Sequence, residues 1–370
     1  MSGAFSRPER KEKKKPLWLR IVLRSLLVVF TLVLLVAIGL VVVMNTIFNG
    51  PSISARNVLT MSLLESSGMK WCPALFIGEE TVEEIRSSVQ ATLPNDISVS
   101  DQVIIRPDDS VAASEWKDYP DGIRIDFISG DTYNAYVMII RDPSAVYMAT
   151  SNDSFSLDVP GTRINYQIEK EGALAAINAG AFYDNGQISS VVGSVPEGLV
   201  IAGGKVVWDQ GQAPEEGFVG FNKNNTLVVA KSMTGAKAME IGIRDGCCFG
   251  PVLIMDGVVN EEAYNKNSGW NPRTSIGQRA DGAVLFVCID GRQAGSLGGS
   301  YADMIDIMIE YGAVNACNLD GGSSTVMLYR DTSGRYGTAG EVKMINNYSL
   351  LQEEPRRMPT FFMVRPAQED

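Results

Sequence analysis

Residues 26 to 44 read LLVVFTLVLLVAIGLVVVM, nineteen positions without a charge. At ~1.5 Å rise per residue this run makes ~28 Å of helix, enough to cross the hydrocarbon core of a bilayer. It exceeds the apolar region of a cleavable signal peptide, and NTIFNG after it lacks a small-residue cleavage pattern. A buried core helix would account for the run itself but not for RPERKEKKKPLWLR before it. Residues 1–24 hold eight Lys or Arg against two Glu, whereas the whole chain carries a net charge of −11. A basic head on an acidic body follows the positive-inside rule. The expectation is a single-pass signal anchor: a basic cytoplasmic segment over 1–24, a membrane helix over 25–45, Trp18 near the inner interface, and everything from about 50 onward outside the cell. The bilayer is then a partner through residues 26–44. Nucleic acid is not, because its phosphates need a basic surface.

The remainder divides by texture. Residues 46–121 read as a juxtamembrane neck. Val58, Met61, Leu64 and Met69 have helix-like spacing there, and GEETVEEIRSSV predicts a second helix with acid in its first turn. From Gly122 to about 366 the chain becomes a succession of short apolar segments rich in β-formers. They include GIRIDFI, TYNAYVMII, ALAAIN, GLVI, KVVW, EGFVGF, TLVVA, PVLIM, AVLFVCID, VNACNL, TVMLY and TFFMV. INYQIEKEG, ending at Gly172, predicts one helix, and SMTGAKAMEIGIRDG carries a weaker helical signal. SYADMIDIMIEYG predicts another, with Ser300 as N-cap, Asp303 in the first turn, a stripe of Met304, Met308 and Tyr311, and Gly312 at the end. Many strands and few helices argue for an α+β fold: a mixed, mostly antiparallel sheet system with a few packed helices.

The chain contains no histidine. A Ser-His-Asp triad, a histidine general base and histidine-rich zinc sites are excluded, which leaves acid–base work to Asp, Glu, Tyr, Lys or Cys. Five cysteines occur without zinc-type spacing. Cys288 and Cys317 lie in apolar runs as small core residues, and adjacent Cys247 and Cys248 are either ordinary thiols or a vicinal disulfide. Four segments set polar residues where an apolar strand ends. AAINAGAFYDNG delivers Asn178, then Phe182 and Tyr183. GWNPRTSIGQRADGAVLFVCIDGR offers Arg273, whose planar fork suits phosphate or carboxylate, and ends on Asp290, Gly291 and Arg292. CFGPVLIMDG is a strand bracketed by Gly250–Pro251 and a turn at Asp256–Gly257. NACNLDGGSSTVM puts Asp320 on a glycine turn.

Taken in order, INAGAFY, GPVLIMDG, NPRTSIGQRADGAVLFVCIDGR and GAVNACNLDGGSSTVM resemble the phosphodiester glycosidase family, over roughly Gly122 to Val364. The resemblance implies hydrolysis of a sugar-1-phosphodiester at the sugar side, giving a free sugar and a phosphomonoester. It also implies the site. Asp320 and Asp290 would be catalytic, and Arg273, Thr274, Asn178, Phe182, Arg292, Gly321, Gly322, Ser323, Ser324 and Thr325 would bind substrate. Ser323 stands where the family has a third glycine, which puts the tightness of the turn in question.

Such chemistry is compatible with a histidine-free chain, because cleavage through an oxocarbenium-like transition state normally uses carboxyl groups. A phosphodiester leaving group needs charge stabilisation more than protonation. Arg273 as a phosphate clamp and the amides of Gly321 to Ser324 as an anion nest would supply it, with Asp320 facing the sugar. Plainer roles stand beside these. Asp320 and Asp290 could serve only as turn residues, Arg273 could pair with a carboxylate, Asn178 could stitch the sheet, and Phe182 and Tyr183 could be core. Asp303 is better read as helix-end stabilisation than as a metal ligand. No cofactor is required; a Ca²⁺ or Mg²⁺ site on Asp and backbone oxygens stays open, without EF-hand spacing.

The expected activity is that of a membrane-anchored hydrolase at the cell surface. Its partner is a phosphodiester-linked glycan, such as an exopolysaccharide. The alternatives are a non-catalytic module that holds anionic wall polysaccharide, and a metal-dependent phosphodiesterase that cuts the P–O bond.

Overall fold

A computed structural model describes residues 17–50, 52–64, 68–87, 93, 95–98, 103, 115–183, 193–211, 217–347 and 354–366. By its contacts the chain falls into two units, Met1–Arg56 and Asn57–Asp370.

The first unit contains helix α1, Leu17–Asn49. Within it Leu23–Asn49 is long and apolar enough to span a membrane, and the most apolar 18-residue window of that stretch is unburied by protein. The hydroxyls of Thr31 and Thr46 donate to carbonyls four residues back, at 2.8 Å each, so these polar groups are satisfied within the helix.

Helix α2, Ile53–Leu64, crosses the boundary between the units, and α3, Cys72–Ser87, follows it. The second predicted helix is the latter part of α3, which bends at Gly78 (φ 76°, ψ 155°). Met61 is buried, but Met69 lies in the intervening turn and is exposed, so the four-residue stripe does not form one face. The side chain of Val58 lies outside the description. Parts of the expected neck pack on the strand-rich body. The Ser98 hydroxyl accepts from the Val229 amide at 3.0 Å, and Glu115 forms ion pairs with Arg124 and Arg279.

All strand pairings among the described residues are antiparallel. The largest sheet runs, in spatial order, β1 (Ile123–Ser129), β2 (Asn134–Ile140), β14 (Val284–Ile289), β13 (Arg273–Arg279), β15 (Ala313–Leu319), β11 (Val252–Met255) and β12 (Val258–Val259). The second runs β7 (Lys205–Asp209), β6 (Leu199–Ala202), β10 (Ile243–Cys248), β8 (Phe218–Asn222) and β9 (Leu227–Ala230). The third runs β17 (Val342–Met344), β16 (Met327–Arg330), β5 (Ala175–Asn178), β19 (Thr360–Val364) and β3 (Val146–Thr150). A small pair, β4 (Thr162–Arg163) with β18 (Arg357–Met358), closes the list.

The strands alternate as their patterns demand, so each sheet has an inner and an outer face. The inner faces share one core, to which Phe286 and Ile276 come from the largest sheet, Phe221 and Val219 from the second, and Phe362 and Ile177 from the third. Burying each such side chain contributes about 1.5–3 kcal/mol. The outer faces are covered by short helices: α4 (Ile164–Glu171) on the third sheet, α5 (Gly235–Glu240) on the second, and α7 (Tyr301–Glu310) on the largest, next to α6 (Glu261–Asn265).

The helix ends match their sequence signals. Ser300 and Asp303 form a reciprocal capping box on α7, and Gly172 ends α4 in the left-handed region. Asp256 and Gly257 both have positive φ, giving a two-residue hairpin turn between β11 and β12. The weak helical signal over SMTGAKAMEIGIRDG holds for α5 alone, and the chain then becomes strand β10. All five cysteines are free thiols and buried, and Cys247 and Cys248 are the ordinary thiols of the first reading.

Candidate active site

Three strand ends of the largest sheet meet at one rim. β14 runs out into Asp290–Gly291–Arg292, Asn271–Pro272 leads into β13, and β15 runs out into Asp320–Gly321–Gly322. Pro272 is the pivot. A Cβ at Gly291 would sit 2.6 Å from the Pro272 nitrogen, and one at Gly321 would sit 2.7 Å from its carbonyl oxygen. Neither turn therefore tolerates a side chain, and both wrap the same proline. The last pair of the β13–β15 ladder is Thr274 with Leu319, so the next residues on the two chains are Arg273 and Asp320.

The third sheet supplies the opposite wall through the end of β5. Asn178 is fully buried, and its side-chain oxygen accepts from the Thr274 hydroxyl at 2.9 Å and from the Val326 amide at 3.2 Å. Its side-chain nitrogen donates to the Asp320 carbonyl. This one amide ties two sheets and the glycine turn together. The Asp320 amide donates to the Ala179 carbonyl at 3.0 Å, and the Asp320 residue is half-buried. Gly180 is required because a Cβ there would lie 2.9 Å from that of Cys247.

Asp290 is almost fully buried, at 1% exposure. Its carboxylate accepts from the Tyr136 hydroxyl at 2.9 Å, from the Asn347 amide at 3.0 Å and from the Asn347 side chain at 2.9 Å. Burial raises its pKa above the ordinary carboxylate value, against the opposing effect of these donors. The Tyr136 phenol is raised in turn by burial and by the Asp290 charge. Asn346 completes the network: its side chain donates to the Thr325 carbonyl at 3.3 Å and accepts from the Met327 amide at 2.7 Å.

The arginines divide. Arg273 is 2% exposed, with its guanidinium 4.2 Å over the Tyr301 ring. It donates to the Gly299 carbonyl at 3.1 Å and the Ser268 carbonyl at 2.8 Å. Its long side chain is thus engaged beneath the N-terminus of α7. Arg292 is exposed and holds φ 57°, a left-handed conformation that costs a non-glycine residue about 1–2 kcal/mol. It donates to the Asn271 side chain at 2.9 Å and lies against Gly322, where a Cβ would meet its nitrogen at 3.4 Å. Arg356 donates to the Ser323 hydroxyl at 3.2 Å and stacks 4.8 Å over the Phe182 ring. Two guanidinium groups therefore touch the glycine turn.

The turn itself corrects one expectation. Gly322–Ser324 is a single 3-10 turn, and its closure uses amides expected to hold an anion: Gly322 donates to the Pro272 carbonyl at 2.8 Å and Ser324 to Gly321 at 3.0 Å. Ser323 needs no positive φ, so a serine fits where a glycine was expected. The hydroxyls of Ser324 and Thr325 are buried without a hydrogen-bond partner among the described residues. No group of three or more acid or thiol side chains that could hold a metal ion occurs among the described residues. A cavity of about 260 Å³ lies elsewhere, lined by Asn57, Met61, Ile85, Glu262 and Lys266, and belongs to the packing of α2, α3 and α6.

The rim thus gathers Asn178, Phe182, Thr274, Asp290, Arg292, Asp320 and the 321–325 turn. Tyr136, Asn346, Asn347 and Arg356 were not foreseen. They carry no glycine or strand-end signal, and only the packing of distant segments brings them in.

Comparison with known proteins bears on the same segment. A family model described as phosphodiester glycosidase matches residues 171–365. A prophage-derived uncharacterized protein of Bacillus subtilis, YomE, is 28% identical over 215 residues, which are 56% of this chain and 29% of that one, so the chain spans less than a third of this relative. The zebrafish N-acetylglucosamine-1-phosphodiester alpha-N-acetylglucosaminidase catalytic domain, solved in a form auto-inhibited by its pro-peptide, is similar in fold, with a TM-score of 0.50 and 20% identity. That match covers 66% of this chain and 82% of that one. A putative exported protein of Burkholderia pseudomallei is a further structural match, with a TM-score of 0.43 and 17% identity over 63% of this chain and 74% of that one.

Proposed function

The chain belongs to the phosphodiester glycosidase family, and from that premise we propose that it hydrolyses sugar-1-phosphodiesters at the sugar side, outside the cell membrane. The carrying observation is the convergence of the Asp290, Pro272 and Asp320 turns inside the matched segment, with two arginines against the last of them. Asp320 is the catalytic carboxylate. It supports the positive charge that develops on the sugar ring or activates the attacking water. Arg292 and Arg356 bind the departing phosphate, a planar fork being suited to two phosphate oxygens. They take the role first expected of Arg273, whose buried stacking on Tyr301 fits the fixing of the Pro272 rim better. Asp290 is a positioning residue: through Asn346 and Asn347 it fixes the carbonyl side of the 325–327 segment.

The helix Leu23–Asn49 with its basic head supports a single-pass anchor, cytoplasmic at the N-terminus. The substrate is then a phosphodiester-linked glycan of the cell surface or of an exported polysaccharide. The domain division that goes with this is a basic segment over 1–24, an anchor over 25–45, a neck over 46–121 and a glycosidase domain over 122–366.

The test uses the detergent-solubilised full chain with a sugar-1-phosphodiester in ¹⁸O-water. Release of reducing sugar bearing the label, with an unlabelled phosphomonoester, is expected. Label in the phosphate would convert the assignment to a phosphodiesterase that cuts P–O. Tight binding with no product would make the domain a polysaccharide-holding module.

A further inference from the structure

We propose that the rim beside Asp290 carries a second sugar subsite, formed by the exposed ring of Phe127 with the part-exposed Tyr336 and backed by the buried Tyr136, and that the substrate is therefore an extended glycan rather than a single glycosyl phosphodiester. This deepens the function proposed above and rests on it. Phe127 is 60% exposed although it lies on β1 directly across from Tyr136, on the sheet face that elsewhere forms the shared core. Its ring meets the buried Tyr136 edge-on at 5.4 Å and the part-exposed Tyr336 at 6.2 Å, so Tyr136 backs a ledge made by the other two rings.

The ledge is fixed in place. Tyr336 donates its hydroxyl to the Ile125 carbonyl at 3.2 Å, and its own amide is held by the Asp331 carboxylate, which also accepts from the amides of Ser333, Gly334 and Arg335. Tyr136 leads from the ledge to the site. Its hydroxyl donates to Asp290 and accepts from the Asn347 side chain at 2.7 Å, and the Asn347 carbonyl accepts from Gln293 at 2.7 Å, next to Arg292. A chain of hydrogen bonds thus runs from the buried Tyr136 behind the exposed ring to Gln293, the residue that borders Arg292.

A pyranose ring suits this surface. Its C–H groups carry partial positive charge and are attracted to the electron-rich face of an aromatic ring, while its hydroxyls need polar partners at the edge. Asn347, which is exposed, and Gln293 supply such partners. Binding energy collected on a neighbouring sugar would hold the scissile unit against Asp320 and the arginines.

Calorimetric titration of the full chain in detergent decides the matter, with two probes: a monomeric sugar-1-phosphodiester and an oligomer of the same repeating unit. The oligomer is expected to bind about tenfold more tightly than the monomer, as one stacked ring implies. F127A should erase most of that preference and F127W should keep it. A wild type without preference, or an F127A variant that retains it, overturns the ledge. Turnover is read separately on the monomer. A protein that prefers the oligomer yet hydrolyses neither probe defeats the activity and spares the subsite, whereas one that hydrolyses the monomer without preferring the oligomer does the reverse.

Discussion

Two aspartate–glycine turns lie on either side of Pro272, and the fold treats their carboxylates differently. Asp290 is sealed beneath Asn346 and Asn347, with donors from a phenol, a backbone amide and a side-chain amide on its oxygens. Asp320 stays half-buried on the far side of the proline, beside a turn that two arginines touch. The local sequences, IDGR and LDGG, hardly differ. What separates the two is the segment packed over each, which sets the burial and the donor count of its carboxylate.

The largest expected effect separates them in turnover. Asp320→Asn should lower kcat on a sugar-1-phosphodiester by about 10³-fold or more with the fold unchanged by circular dichroism. Asp290→Asn should lower it by about tenfold, through displaced partners. Equal losses in the two variants would dissolve the distinction between worker and organiser.

Stability should separate them the other way. Asp290→Ala leaves several buried donors unpaired, at a cost of about 1–3 kcal/mol in thermal or urea unfolding, whereas Asp320→Ala should cost less. The pH dependence has a definite sign. Burial holds the Asp290 pKa above its unfolded value of 3.8, so the folded chain retains that proton over the interval between the two. Wild-type stability relative to Asp290→Asn is therefore greatest below that value and falls as pH rises through the raised pKa. A gap that widened with pH would mean that the donors outweigh burial.

The arginines give the smallest contrast. Arg292→Ala and Arg356→Ala should each raise KM by about tenfold, the loss of one charge-assisted contact, with little change in unfolding temperature. Arg273→Ala should instead lower the unfolding temperature, because the carbonyls of Ser268 and Gly299 lose their donor. An Arg273→Ala variant that is stable but has a raised KM would restore the clamp to the position first expected of it.

Much of the fold was legible. Alternation and β-branched content announced most core strands, and capping signals announced α4 and α7. β13 was not announced, because TSIGQR is polar and reads as loop. Its polar side chains are buried against distant backbone: the Gln278 side chain accepts from the Leu227 amide at 2.6 Å and donates to the Asn225 carbonyl at 2.9 Å. β10 was obscured by a helical stretch that stops at Glu240. At the site, glycine turns pointed to Asp290 and Asp320 because tight backbone leaves a mark in sequence. Arg356 and Asn347 left none, since their positions depend on how the C-terminal segment lies across strands more than a hundred residues away.

Asn178 has a consequence for how such a site could operate. With Thr274 on one sheet, the lead into β16 on another and the carbonyl of Asp320 all fastened to a single amide, the placement of Asp320 and the spacing of the two sheets are one variable. Heat or denaturant that loosens the sheets should extinguish activity at the same midpoint as it unfolds the protein, with no earlier stage in which the frame survives and the chemistry fails.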